Sequence, residues 1–165
     1  MIRHLLLLHP SGIPLYTGSF EKGIDCCSEE HKHHNAVMEK STLFSSFITS
    51  INLIAGEFGG DLRHMKLGQW DVFMETREKL TAVMLTNPSD DHAIRDKYTQ
   101  SLTEISSKFL SVYEMDLKDW DGEVSKYQSF TNHMNYDELL EIDNSNVELC
   151  VSCIEIVGQA IDKMT

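Results

Sequence analysis

The residues whose chemistry first stands out are two adjacent cysteines followed closely by three histidines. Cys26 and Cys27 precede His31, His33 and His34 with the spacing C-C-x3-H-x-H-H. Thiolate and imidazole groups are ligands that Zn²⁺ prefers. This spacing matches no standard zinc template, however, and adjacent residues are difficult to bring to one metal ion. A polar loop is the simpler interpretation, so we assign no metal ligand here, and zinc binding by the loop stays an open alternative.

Two further cysteines, Cys150 and Cys153, form a C-x-x-C motif near the C-terminus. In redox enzymes this motif opens a helix, where the environment lowers the pKa of the thiol. Here the motif lies one turn inside a helix that we predict to begin at Asn144, with Cys150 on its apolar side. We therefore interpret the two thiols as small apolar groups that pack against the domain.

Motifs of the common enzyme classes are absent from the sequence. There is no G-x-S-x-G nucleophile elbow and no G-x-x-x-x-G-K-[ST] phosphate-binding loop. No constellation of acids, bases and nucleophiles replaces them. The sequence therefore predicts a protein that is not an enzyme and that has no cofactor.

The charge distribution argues against nucleic acid and lipid as direct partners. The chain has a net charge of -12, and residues 90–148 contain fourteen acidic and five basic side chains. Nucleic-acid binding depends on a basic surface, and anionic lipid repels an acidic one. No apolar run approaches the roughly 20 residues of a membrane span. We expect a cytoplasmic protein whose acidic half is either a solvated face or a surface for a basic partner.

The segment that organises the chain is residues 42–86, where one helix is followed by three strands. Apolar residues recur every three or four positions in the helix, and Gly59 and Gly60 end it. A period of two then predicts strands at residues 61–67, 70–76 and 80–86, joined by hairpins. The predicted buried stripe of the helix consists of Leu43, Phe47, Ile51, Ile54 and Phe58.

The remaining elements are placed around this segment. Residues 2–8 and 80–86 are apolar on both faces, so both strands should lie mid-sheet with helices covering each side. Pro14 places the strand 13–20 at a sheet edge. We interpret residues 21–40 as a polar loop whose end can extend the first helix backwards, and we expect helices at 90–117, at 124–141 and from 144 onward. The expected buried stripe of the helix at 90–117 is Ile94, Tyr98, Leu102, Ile105, Phe109 and Val112.

This layout resembles a longin domain, of the kind found in eukaryotic trafficking proteins and related archaeal proteins of the roadblock/longin superfamily. The matching segments are MIRHLLLLHPSGIPLYTGSF, TLFSSFITSINLIAGEFGG, DLRHMKLGQWDVFME and KLTAVMLTN. The resemblance covers residues 1–141 of a single domain 1–165, and residues 142–165 are an extra C-terminal helix. It implies an α+β fold with a five-stranded antiparallel sheet in the order 2-1-5-4-3. One helix should cover one face, and two or more the other.

The same resemblance implies a non-catalytic protein-interaction module in a membrane-trafficking complex, peripheral at membranes through its partners. The implied partner is a small GTPase or another longin-like or roadblock-like subunit, in a homo- or heterodimer. A helix beside a strand edge can bind such a partner. The candidate partner-binding residues are Phe44, Ile48, Leu62 and Met65, with core packing of all four as the alternative. A PAS- or GAF-type small-molecule sensor is the alternative function, although the leucine- and valine-rich central strands leave little room for its cavity.

Overall fold

The structure, a computed structural model, describes residues 1–20, 32–135 and 139, and only the backbone of residues 32–41. Five strands, two α-helices and one 3-10 helix make up these residues. In chain order they are β1 (Ile2–Leu8), β2 (Pro14–Ser19), α1 (Lys32–Glu57), β3 (His64–Leu67), β4 (Trp70–Arg77), β5 (Leu80–Thr86), α2 (His92–Lys118) and the 3-10 helix (Ser125–His133).

The strands form one antiparallel sheet in the order β2-β1-β5-β4-β3. This order confirms the α+β fold and the predicted topology. The two-residue turn between β3 and β4 requires a positive backbone angle, and Gly68 supplies it with φ of 60°. As predicted, β1 and β5 lie inside the sheet, and β2 and β3 are its edges.

Side chains of the central strands alternate between two apolar clusters, one on each face of the sheet. The smaller cluster joins Leu6 and Leu8 of β1 and Val83 and Leu85 of β5 to Ile48 of α1. The larger cluster joins the opposite faces of the same strands to α2 and to the 3-10 helix. One helix therefore covers one face and two helices cover the other, which confirms that both central strands are shielded on each side.

The larger cluster is built around aromatic rings of α2 and the 3-10 helix. The Phe109 ring lies 4.9 Å from the rings of Tyr113 and Phe130 and 5.7 Å from that of Tyr127. The predicted stripe of α2 is confirmed for its four central members, which are buried, but Val112 is exposed. Tyr113 takes its place, because steps of four residues from Phe109 keep side chains on the covered face. The four confirmed members are Tyr98, Leu102, Ile105 and Phe109.

Helix α1 begins at Lys32, which confirms that the end of the 21–40 segment extends the first helix backwards. The next helix boundary differs from the prediction. The expected helix at residues 124–141 is a nine-residue 3-10 helix over Ser125–His133. Within the described residues, no helix is both long and apolar enough to cross a bilayer. The candidate zinc loop, the C-x-x-C motif and the helix expected from residue 144 lie outside the described residues.

Candidate protein-binding surface

Helix α1 contacts the sheet through a face different from the one we predicted. Ile48 and Ser45 are fully buried, and Ile48 belongs to the smaller apolar cluster. The prediction of a buried stripe was wrong for four of its five members, and Ile51 is half-buried. Their exposed fractions are 74% for Leu43, 41% for Phe47, 58% for Ile54 and 87% for Phe58. Since successive residues are rotated by about 100° around a helix, the face that bears Ile48 turns this stripe towards solvent.

Contacts at the sides of α1 fix this rotation. Thr49 meets the turn between β1 and β2, where a Cβ added to Gly12 would lie 2.9 Å from the Thr49 hydroxyl oxygen. Further along the helix, the Asn52 side-chain amide donates to the Thr76 hydroxyl of β4 at 3.3 Å. These polar contacts lie on the flank of α1 opposite the exposed stripe. The helix is thus held by one flank and its underside, and its second flank stays apolar and exposed.

The edge strand β3 lies at the end of the sheet and pairs only with β4 among the described strands. The Met74 N–H donates to the Arg63 carbonyl at 2.9 Å, so the backbone of Arg63 faces β4. Backbone direction alternates along an antiparallel strand, which turns the N–H and C=O groups of His64 and Lys66 away from the sheet. This edge can therefore accept another strand.

Apolar side chains connect α1 with β3. The Phe47 ring lies 6.3 Å from the Phe44 ring, and Phe44 packs against the same cluster as Met65 of β3. Leu67 shares the face of β3 that bears Met65 and is 37% exposed. We call the exposed stripe of α1 together with the β3 edge the α1–β3 surface. Its exposed apolar members are Leu43, Phe47, Ile54, Phe58 and Leu67.

The four predicted partner-binding residues lie beneath this surface. Ile48 is fully buried, while Phe44, Leu62 and Met65 are half-buried and pack against the cluster that contains Ile48. Contact of these four residues with a partner stays a prediction. The sequence shows the exposed stripe as an apolar repeat, but we predicted that it packs in the core. A second apolar face of α1, which bears Phe44 and Ile48, lies beside it and is the one that packs on the sheet.

A buried carboxylate ties β3 to β4 and to the start of α2. Asp71 is fully buried, and its Oδ1 lies 3.1 Å from Nε2 of His64. The Ser89 N–H donates to Oδ2 of Asp71 at 3.2 Å, and Nη2 of Arg95 lies 2.9 Å from Nδ1 of His64. The His64 ring also packs against Phe73, with centroids 4.8 Å apart. This network positions the edge strand. Within the described part of the chain, no cluster of three or more His, Cys, Asp and Glu side chains suits a metal ion.

His9 and Ser11 form a hydroxyl–imidazole pair in the turn after β1. The distance from Nδ1 of His9 to the Ser11 hydroxyl is 2.8 Å, which is the spacing of a nucleophile and its base. The Ser11 N–H also donates to the same Nδ1, at 3.2 Å. The ring of His9 packs against Trp120 at 4.2 Å. Because Nδ1 serves to close the turn, we interpret the pair as a structural contact.

Acidification is expected to destabilise the protein through His9. Partial burial lowers the pKa of His9 below its ordinary value of about 6.5. The unfolded chain then binds the proton more readily, so the His9 contribution is complete above about pH 6.5 and is lost as the pH falls towards the lowered pKa. Urea unfolding of the wild type and of His9→Gln between about pH 8 and pH 5 measures the His9 contribution to the free energy of unfolding. Equal losses of stability in both proteins would contradict this role of His9.

Comparison with known proteins gives a match in structure. No family model matches the chain, and no curated protein matches it. One similar solved structure is a Roadblock/LC7 domain. It comes from Streptomyces avermitilis, is 16% identical, and its match covers 69% of this chain and 86% of that chain with a TM-score of 0.45. At this identity and TM-score the likeness carries no conclusion about partners, which we infer from the surface of this chain.

Proposed function

We propose that this protein is a non-catalytic interaction module that binds a protein partner through the α1–β3 surface. The observation that carries this proposal is a row of four large exposed apolar side chains: Leu43, Phe47 and Ile54 on the solvent face of α1, and Phe58 directly after its last residue. Single exposed apolar residues are common in soluble proteins, whereas a contiguous apolar patch marks an interaction site. These exposed side chains lower the solubility of the isolated chain and add little to its folding stability, so binding of a partner best explains them.

The two parts of this surface suit different features of a protein partner. The backbone of β3 can hydrogen-bond to a strand, and the stripe on α1 can cover apolar side chains. In keeping with the longin resemblance, the proposed partner is a small GTPase or another longin-like or roadblock-like subunit. The complex would act in cytoplasmic membrane trafficking, with the protein held at membranes through its partners.

The sensor alternative has less support. A cleft of about 220 Å³ lies between α2 and the 3-10 helix, lined in part by Ser101, Ile105 and Phe130. Small-molecule sites typically have volumes of about 300–1,000 Å³. On the α1 side of the sheet, Leu6, Val83 and Ile48 fill the space between the layers. These features favour an interaction module over a sensor.

Replacing three members of the stripe with serine is expected to abolish partner binding without unfolding the protein. The variant Phe47→Ser/Ile54→Ser/Phe58→Ser removes exposed side chains, so its free energy of unfolding should change by less than about 1 kcal/mol. Recovery of the partner should fall at least about tenfold, because apolar side chains near the centre of an interface dominate its affinity. Tagged full-length protein is expressed in its native cells, purified, and its bound proteins are quantified by mass spectrometry.

A matched control distinguishes binding at this surface from non-specific binding by exposed apolar residues. Val112 and Met115 of α2 are also exposed, at 39% and 74%. The variant Val112→Ser/Met115→Ser should retain the partner, which is then purified and its binding to both variants measured by calorimetry. If the stripe variant binds the same proteins as the wild type, or if both variants lose them equally, the proposed surface is wrong.

A further inference from the structure

We propose that the β3 edge binds an extended segment of the partner in which acidic side chains alternate with apolar ones. This inference rests on the proposed function, because it specifies the chemistry of the partner at the same surface. It follows from three features of the edge: the direction of its backbone groups, the character of its two sides, and its local charge.

The backbone of β3 has room for an added strand. The N–H and C=O groups of His64 and Lys66 point away from β4, since Arg63 pairs with Met74 and the direction alternates. The opposite sheet edge differs, because the Gln128 side-chain amide donates to the Leu15 carbonyl there at 2.9 Å. Strand addition is therefore favoured at β3 over β2.

The two sides of the edge differ in polarity. Met65 and Leu67 lie on the side covered by α1, where Phe44 and Phe47 continue the apolar surface. The other side carries polar groups, among them Lys66. A strand added here would place alternate side chains on these two sides. One set should be apolar, and the other polar.

The charge of the edge determines which polar residues fit. The segment 62–67 carries Arg63, His64 and Lys66 and no acidic residue, although the whole chain has a net charge of -12. Within the described residues Arg63 has no ion pair, and the Lys66 ammonium lies 3.8 Å from an Asp90 carboxylate that is fully exposed. Such an exposed pair contributes little. Arg63 pairs with Met74 and so lies on the α1 side with Met65 and Leu67, whereas Lys66 lies on the polar side. The Lys66 cation is thus available to an acidic side chain in the polar set of an added strand.

The same charges argue against a second copy of this chain at the edge. Because the residues that face outward must lie opposite each other, antiparallel self-pairing places Lys66 opposite His64 of the second copy in one register and, after a shift by two residues, opposite Lys66 of the second copy. Like charges directly opposite each other destabilise a strand pair. A partner of opposite charge avoids this repulsion.

Selection from a display library of random octapeptides on the immobilised full-length chain tests the proposal. We expect enrichment of peptides that alternate aspartate or glutamate with apolar residues. Synthetic copies should bind the Lys66→Glu variant at least about threefold more weakly than the wild type, with an affinity that falls as salt rises. In hydrogen exchange, the bound peptide should protect the amides of His64 and Lys66.

The control variant Lys108→Glu makes the same change in net charge at an exposed position of α2. It should bind the selected peptides as the wild type does. Absence of enrichment, enrichment without acidic residues, or equal weakening by both variants would overturn the proposal. So would a wild-type dimer that Lys66→Pro dissociates in sedimentation, since a second copy would then occupy the edge. If any of these occurs while the stripe variant still loses its cellular partner, the proposed function stands without this inference.

Discussion

Ile48→Ala is expected to lower the free energy of unfolding by about 3 kcal/mol, whereas Phe58→Ala should change it by less than about 0.5 kcal/mol. Both residues are large and apolar, and both lie at or next to α1. Ile48 is fully buried among Leu6, Val83 and neighbouring side chains, so its truncation leaves a cavity. Phe58 is 87% exposed, and its truncation removes little buried area.

Equilibrium unfolding in urea, followed by circular dichroism, measures both free energies. The slope of stability against urea should stay unchanged, since neither variant alters the surface exposed on unfolding by much. Leu43→Ala is a second exposed control and should behave as Phe58→Ala does. If truncation of Leu43 or Phe58 costs as much as that of Ile48, the stripe belongs to the core and the α1–β3 surface is not available to a partner.

The strands were predictable because their sequence pattern has one simple structural cause. A strand that is apolar at every position, such as β5, must have both faces covered. Pro14 at the start of β2 and the turn at Gly68 limited the possible strand orders further. These signals are local, so they identify the central strands and one edge strand without reference to tertiary contacts.

The face of α1 that packs on the sheet was not predictable in the same way. Leu43, Phe47 and Ile54 form a stripe at least as apolar as the one that contains Phe44 and Ile48. Periodicity shows that an apolar face exists, but it does not distinguish packing inside the domain from packing against a partner. Where a sequence carries more apolar helix surface than its own core covers, the excess indicates an interface.

The region after α2 begins with a turn that side-chain hydrogen bonds hold. The Asp121 carboxylate accepts the Glu123 N–H at 3.0 Å, and the Glu123 carboxylate accepts the Ser125 N–H at 2.9 Å. These bonds lower the pKa of both carboxyl groups. These bonds span residues 121–125 and account for the turn that separates α2 from the 3-10 helix. The apolar spacing of Tyr127 and Phe130 alone did not reveal this.

Asp71→Ala is expected to destabilise the protein by about 3 kcal/mol and to loosen β3. The Asp71 carboxylate is fully buried, so its removal leaves the Ser89 N–H and the His64 ring without their acceptor. Loss of one member of a buried charged network costs about 3–5 kcal/mol of stability. Because His64 is partly exposed, we expect a loss near the lower value of this range. Because β3 has only four residues and one neighbouring strand, its contact with Arg95 through His64 should matter for its order.

Urea unfolding measures the loss of stability, and amide hydrogen exchange of Met65 and Leu67 measures the order of β3. Asp96→Ala removes an exposed carboxylate of α2 and should leave both unchanged. In a double-mutant cycle, Asp71→Ala and His64→Ala should be coupled by more than about 0.5 kcal/mol. Additive effects of the two substitutions, or unaltered exchange in Asp71→Ala, would show that Asp71 does not position the edge. The β3 strand would then be held by its pairing with β4 alone, and partner binding at the edge would be insensitive to Asp71.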